Sequence, residues 1–211
     1  MGLTRDDICR FVEKASAIMQ EQKDYLIELD AASGDGDLGL TMSKGFLAAK
    51  DFVDGSDEAD LGKLLFQAGS AMAAAVPSTM GTLMASGLLS VGKAWKGKES
   101  LEAADFGAFC NAYYEGVQKR GKANPGERTV LDALKPAADA VSEALAAGET
   151  DLPRLAQLAY EAAQQGVEAT KEMAPVHGKA FVHREKLGGV PDQGAIVGSL
   201  LYRAWSEALP G

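Results

Sequence analysis

Apolar residues recur at helical spacing along almost the entire chain. The first stripe runs through six positions: Ile8, Phe11, Val12, Ala15, Ile18 and Met19. Similar stripes follow over residues 41–53, 61–73, 83–95, 106–117, 131–145, 155–167 and 196–205, and no run of Val, Ile or Thr alternates as a half-buried strand would. We therefore expect an all-α bundle of about eight helices, with the first helix continuing to Leu29.

The size, apolar content and charge of the chain limit the classes of protein to which it can belong. The chain has 211 residues, of which 46% are hydrophobic, and its net charge is −9. This size and apolar content suit residues 1–211 as one domain with an ample core. An acidic chain is a poor candidate for binding nucleic acid or an anionic membrane, because both attract basic patches. With no signal segment, no membrane-length apolar run, and two cysteines that lack metal or redox spacing, we expect a cytoplasmic protein.

Four stretches interrupt the helical pattern with Gly, Pro and polar residues: 30–41, 76–82, 119–129 and 175–194. Connections in helical bundles are usually short, so the longer of these stretches suggest a functional role. In an up-and-down bundle every second connection lies at the same end. The four stretches follow the first, third, fifth and seventh helices, so we expect them to meet on one face and to form the active site there.

The first of these stretches carries three carboxylates, Asp30, Asp35 and Asp37, within eight positions. Carboxylates this close repel one another unless a cation offsets their charge, and oxygen ligands favour Mg²⁺ or Ca²⁺ over zinc. Interspersed glycines let the backbone bend so that the side chains converge, and the helix that follows offers free N–H groups to a phosphate. We favour a Mg²⁺-phosphate site; the alternative is an acidic surface turn that caps a helix.

Two further stretches each leave two interpretations open. Ser78 and Thr79 follow a proline, and their hydroxyls either cap the next helix or help to hold a phosphate. Four basic residues near the end of the fifth helix either form a solvated helix end or attract the negative charge of a nucleotide: Lys119, Arg120, Lys122 and Arg128. The two histidines lie in the last stretch, where a solvated histidine is more common than a catalytic one.

Motifs in these stretches resemble one known family. Residues 34–42 read Gly-Asp-Gly-Asp-Leu-Gly-Leu-Thr-Met and are preceded by Leu29-Asp30, close to the family's G-D-x-D-H-G-x-N-M. Residues 126–136, 178–182 and 192–195 are similar to its G-D-K-T-M-x-D-x-x-x-P, G-R-A-x-Y and D-P-G-A blocks. Together the blocks resemble the nucleotide-binding L subunit of dihydroxyacetone kinase, also called the Dak phosphatase domain, over essentially the whole chain.

The resemblance implies an eight-helix antiparallel barrel with a nucleotide site on one loop face. It implies two Mg²⁺ ions held by the catalytic carboxylates of Asp30, Asp35 and Asp37, with the phosphates of ADP or ATP bridging the metals. Positions implied to contact the nucleotide come from all four stretches: Leu38, Gly39, Leu40, Thr41, Ser78, Thr79, Met80, Gly121, Val130, Lys179, Asp192, Gln193 and Gly194. A separate K-type subunit would hold the keto sugar, and the phosphoryl donor would be ATP or a phosphotransferase-system protein.

The chain departs from the family's pattern around the nucleotide. Leu38 and Thr41 replace a histidine and an asparagine, Lys179 replaces an arginine, and Gln193 replaces a proline; residues 76–81 replace a glycine-rich segment. The metal-binding residues are kept, so two interpretations stay open: a keto-sugar kinase subunit, and an altered paralogue that binds a partner without transferring phosphate. The sequence decides neither the sugar, nor the phosphoryl donor, nor the oligomeric state.

Overall fold

The computed structural model describes residues 2–177, 181 and 188–209, and within these ranges the chain is helical without a β-strand. The α-helices are α1 (Arg5–Glu21), α2 (Lys23–Ser33), α3 (Leu38–Asp54), α4 (Leu61–Ala75), α5 (Thr79–Ala94), α6 (Ala103–Gly121), α7 (Leu131–Ala146), α8 (Leu152–Ala169) and α9 (Gln193–Ala208), with a 3₁₀ turn at Thr170–Glu172. The all-α prediction is confirmed. None of the described helices is both long enough and apolar enough to cross a bilayer.

Eight of these helices form a closed ring. Each helix from α3 to α9 packs on the next along the chain, α9 packs on α1, and α1 packs on α3. This is the up-and-down order expected of a barrel, because short connections place consecutive helices side by side and antiparallel. The remaining helix, α2, packs chiefly on α3 and lies outside the ring.

The prediction that the first helix continues to Leu29 is wrong. The first helix ends at Glu21 and is capped by Gln22, whose backbone N–H donates to the carbonyl of Ile18 at 2.9 Å; α2 then starts at Lys23. The polar run from Gln20 to Asp24 interrupts the apolar stripe here, and the separate α2 gains its own contact with α3. The described part of the chain therefore contains one α-helix more than the stripes indicate.

Side-chain caps fix several helix starts. Asp60 accepts from the N–H of Lys63 at 3.0 Å, and Ser78 accepts from the N–H of Gly81 at 3.0 Å. The capping interpretation of Ser78 is thus confirmed, since the bond satisfies one of the donors that a helix start leaves unpaired. Asp151 and Asp192 cap α8 and α9 in the same way.

Aromatic side chains fill the interior of the ring towards one of its ends. Trp205 stacks on Phe11 with ring centroids 4.0 Å apart and meets the edges of Phe106 and Phe109 at 5.4 and 5.1 Å. Phe106 lies in the first turn of α6 and Trp205 near the last turn of α9, so this cluster occupies one end of the barrel. The opposite end carries the starts of α5 and α9 and the end of α6.

Candidate functional site

The four irregular stretches border one cavity of about 640 Å³ at the end of the barrel opposite the aromatic cluster. Each stretch contributes to the wall, as the order of the helices predicts: Asp30, Asp35, Asp37 and Leu38; Ser78, Thr79 and Met80; Gly121, Arg128 and Thr129, followed by the adjoining Val130; His177, Asp192, Gln193 and Gly194. A site at this place draws its residues from distant parts of the chain, so the barrel has to close before the site exists.

The three acidic side chains converge on one edge of this cavity. Asp30 lies in α2 and is 8% exposed, whereas Asp35 and Asp37 follow in the exposed turn before α3. The ligand oxygens of the three carboxylates lie within 4.8 Å of one another. Gly36 makes the turn possible with a φ of 72°, a value that side chains other than glycine's rarely allow.

Backbone amides hold the buried carboxylate of this cluster in place. Asp30 Oδ2 accepts from the N–H groups of Asp37 at 3.0 Å and Leu38 at 3.3 Å. Asp30 Oδ1 faces the side-chain amide of Gln193, which lies at 3.4 Å and links α9 to the cluster. A set of oxygen donors around mutually repelling charges fits a hard divalent cation such as Mg²⁺.

The wall next to the carboxylates is apolar. Met80 and Leu83 come from α5, and Val117, Val130 and Leu131 come from α6 and the start of α7. The cavity therefore joins an anionic edge to a hydrophobic slot, and an apolar pocket with a few placed polar groups is the usual form of a small-molecule site.

A second cluster of charged side chains, Arg128, Asp132 and Asp192, lies at the start of α9, and its members Arg128 and Asp192 line the cavity. Asp132 accepts from the N–H groups of Gly126 and Thr129, and Asp192 accepts from the N–H of Ala195 at 2.8 Å. Burial raises the pKa of Asp192 to about 6, although its hydrogen bond to Ala195 and the charge of Arg128 act in the opposite direction. Arg128, Asp132 and Asp192 are each 5% exposed or less.

The rim of the cavity carries a contact between two loops. His177 Nε2 lies 2.5 Å from Glu127 Oε2. The N–H of Asn124, and after it the His177 side chain, hold the pKa of Glu127 at about 2. His177 is exposed, as the sequence predicts for a histidine in this stretch, and it is also paired with a carboxylate.

The four basic residues near the end of α6 do not all occupy the same environment, so they do not share one interpretation. Lys119 and Arg120 belong to the last turn of α6 and are exposed, as is Lys122, so these three fit the solvated helix end. Arg128 differs: it is buried and donates to two backbone carbonyls.

Some of the predicted nucleotide contacts line the cavity and others do not. Three of them, Gly39, Leu40 and Thr41, do not line the cavity: Leu40 is 54% exposed, and the other two are buried along α3. A role for these three stays a prediction that the lining does not support, because α3 runs away from the cavity after Leu38. Lys179 and most of the 178–182 block lie outside the described residues.

The sequence around this cavity matches a known domain family. The DAK2 domain profile matches residues 32–207. The chain belongs to the DAK2 domain family. The match contains Asp35, Asp37 and every other stretch that borders the cavity, and its first residue lies two positions after Asp30.

Individual relatives of this DAK2 domain are of two lengths. It is 28% identical over 204 residues to the ADP-binding subunit DhaL of PEP-dependent dihydroxyacetone kinase 1 of Listeria innocua, covering 97% of this chain and 96% of that protein. It is 33% identical over 183 residues to L-erythrulose kinase of Pectobacterium atrosepticum, covering 86% of this chain but only 31% of that one. The crystal structure of the C. freundii dihydroxyacetone kinase in complex with AMP-PNP and Mg²⁺ superposes with a TM-score of 0.70 at 25% identity, covering 98% of this chain and 34% of that one.

Sequence reasoning missed the apolar wall of this DAK2 domain. Leu83, Val117 and Leu131 continue the helical stripes, and a stripe predicts core positions, but these three side chains line the cavity. The one available signal is their position at helix ends that adjoin the glycine- and proline-rich stretches. A stripe residue at such an end can face a cavity as readily as the core.

Proposed function

We propose that this DAK2 domain is the nucleotide-binding, phosphoryl-transfer component of a multi-component kinase for dihydroxyacetone or a similar small keto sugar. The observation that carries the proposal is the convergence of Asp30, Asp35 and Asp37 at the edge of the cavity. The buried apolar residues of the helices form one continuous core, which supports treating residues 1–211 as one domain.

The three carboxylates would hold Mg²⁺, and the proposed number of ions is two. When bound, Mg²⁺ neutralises the phosphates and aligns an in-line transfer. The chain's own part is positioning: the amides of Asp37 and Leu38 fix Asp30, and the start of α5 borders the cavity, where its unpaired N–H groups would bind a phosphate. The apolar wall would hold the nucleotide base, with the phosphates at the acidic edge.

The lengths of the relatives support a multi-component enzyme. The DhaL proteins of Listeria innocua and Escherichia coli, which this chain covers to 96% and 92% of their lengths, are named ADP-binding subunits. The L-erythrulose kinases of Pectobacterium atrosepticum and Mycolicibacterium smegmatis are about three times as long, and this chain covers only 31% and 35% of them. We propose that a separate K-type subunit holds the sugar in the cytoplasm, and that ATP or a phosphotransferase-system protein supplies the phosphoryl group.

Substitution of Asp37 tests this function. Asp37→Asn removes one ligand charge and no helix cap, because the Asp37 side chain makes no capping bond. We expect at least ~100-fold weaker Mg-ADP binding, or about 2.7 kcal/mol, in calorimetric titration. We also expect loss of sugar phosphorylation when a K-type subunit is added.

The matched control is Asp24→Asn, which removes the same charge from the exposed face of α2, away from the cavity. Wild-type affinity in Asp37→Asn would contradict the metal site. Partner binding without any phosphoryl transfer by the wild-type protein would favour the altered paralogue instead.

A further inference from the structure

One buried side chain ties the loop between α6 and α7 to two distant parts of the chain. Arg128 is 5% exposed, and its guanidinium donates from Nη1 to the carbonyl of Met173 at 3.1 Å and from Nη2 to the carbonyl of Val190 at 2.8 Å. These two carbonyls lie at the two ends of the connection between the 3₁₀ turn and α9. A single planar group therefore holds both ends together.

The backbone of Arg128 shows how specific this arrangement is. Its φ is 57°, in the left-handed region, which costs a side-chain-bearing residue about 1–2 kcal/mol. The loop on which it lies is itself fastened to α7, since Asp132 accepts from the N–H groups of Gly126 and Thr129. The hydrogen bonds to Asp132 thus fix the backbone of the loop that carries the guanidinium.

The segments on either side of the two carbonyls form part of the cavity wall. His177 follows Met173 by four positions, and its backbone neighbour Val176 donates to the carbonyl of Glu127 at 3.4 Å. Gln193, three positions after Val190, extends its amide to Asp30. Both residues line the cavity.

The positive charge of Arg128 already has partners within the protein. It attracts the buried carboxylate of Asp192 and so lowers the pKa of that group, whereas the nearby carboxylate of Asp132 repels it and raises the pKa. A cation compensated in this way contributes little to attracting a phosphate, so the sequence-based alternative of a nucleotide-attracting charge does not describe its main role.

We propose that Arg128 is a positioning residue of the nucleotide site: by joining the backbone at Met173 and Val190 it places His177 on one side of the cavity wall and Gln193 on the other. This inference rests on the proposed function for its effect on nucleotide binding. Its structural part, the joining of the two backbone ends, stands on the contacts alone.

Hydrogen exchange tests the structural part in the nucleotide-free protein. Arg128→Met removes the donors, and Arg128→Lys keeps the charge beside Asp192 but has no planar fork with which to bridge two carbonyls. We expect the amides of Val176 and Gly189 to exchange at least ~10-fold faster in both variants. Lys122→Met is the control, because it removes one charge from the same loop at an exposed position.

Mg-ADP titration of the same proteins tests the functional part. We expect both Arg128 variants to bind at least ~10-fold more weakly, and Lys122→Met to bind as the wild type does. Wild-type exchange and affinity in Arg128→Lys would show that charge alone matters and would overturn the proposal, as would faster exchange with unchanged affinity. If the wild-type protein binds no Mg-ADP, the proposed function fails, while the exchange rates still decide whether Arg128 joins the segment ends.

Discussion

Asp192 shows how a single residue can serve two structural needs at an energetic cost. Its carboxylate caps α9 through the N–H of Ala195, and its own N–H donates to Thr170 Oγ1 at 2.9 Å. Both bonds fix the start of α9 at the cavity. Burial nevertheless disfavours the charged carboxylate and raises its pKa from 3.8 to about 6.

This raised pKa predicts a pH dependence of stability. A carboxyl whose pKa is higher in the folded than in the unfolded state takes up a proton on folding, so its favourable contribution is full below pH ~4 and lost by pH ~6. Asp192→Asn keeps a capping side chain without a charge. We expect the free energy of unfolding of the wild type, relative to this variant, to fall by about 2 kcal/mol between pH 4 and 7.

Urea denaturation of the nucleotide-free protein across that pH range gives the measurement. Asp151→Asn is the control, since it makes the same change at the exposed cap of α8. Parallel stability curves for the wild type and Asp192→Asn would contradict the prediction.

At the scale of elements, the packing of α2 on α3 positions the acidic cluster. Gly39 lies where the two helices cross: a Cβ at this position would overlap the carbonyl of Lys23 and approach Ile27 Cγ1 to 2.9 Å. Asp30 lies in the last turns of α2, and Asp37 immediately precedes α3. The distance between the two helices therefore sets the distance between the carboxylates.

Gly39→Ala should separate these two helices. The new methyl group contacts backbone, which cannot rotate away, so we expect a loss of about 1–3 kcal/mol in unfolding free energy. We also expect at least ~10-fold weaker Mg-ADP binding in calorimetric titration, because the three carboxylates no longer converge.

Gly55→Ala provides the comparison for this substitution. A Cβ at Gly55 meets its nearest neighbour, the carbonyl of Asp51, at 3.5 Å, an ordinary contact. Equal effects of the two substitutions would show that the loss of glycine, and not the crossing of α2 and α3, accounts for the result.

At the scale of the whole molecule, the barrel separates stability from function. The aromatic cluster of Phe11, Phe106, Phe109 and Trp205 closes one end, and the cavity opens at the other. Large buried aromatic side chains contribute strongly to stability, whereas the cavity must expose charged groups. The two requirements conflict, and opposite ends of the same helices meet them separately.

Phe106→Ala tests this separation. Truncation of a buried aromatic residue that contacts Trp205 and Phe109 should lower the unfolding free energy by about 3–5 kcal/mol in chemical denaturation. Because the cavity lies at the other end, we expect Mg-ADP affinity of the folded variant to stay within about twofold of the wild type. A tenfold loss of affinity, without unfolding, would show that the two ends are coupled.

Local patterns in the sequence determine much of this protein. Stripes such as the one from Ile8 to Met19 depend only on residues three and four positions apart, so they predict helices without any knowledge of neighbours. The acidic stretch is equally local: Asp30, Asp35 and Asp37 are close in sequence, and the glycines between them permit the turn. The order of the helices then predicts that the four stretches meet at one end of the barrel.

Only the tertiary structure decides the features that join distant residues. The packing of α2 against α3, outside the ring, is one such feature, and the apolar wall is another, because it depends on which stripe residues the ring leaves facing a cavity. Arg128 is the clearest case: its partners Met173 and Val190 are 45 and 62 positions away, and they accept through backbone carbonyls, which every residue possesses. No side-chain pattern marks such acceptors, because a carbonyl's availability depends on how the folded chain places it.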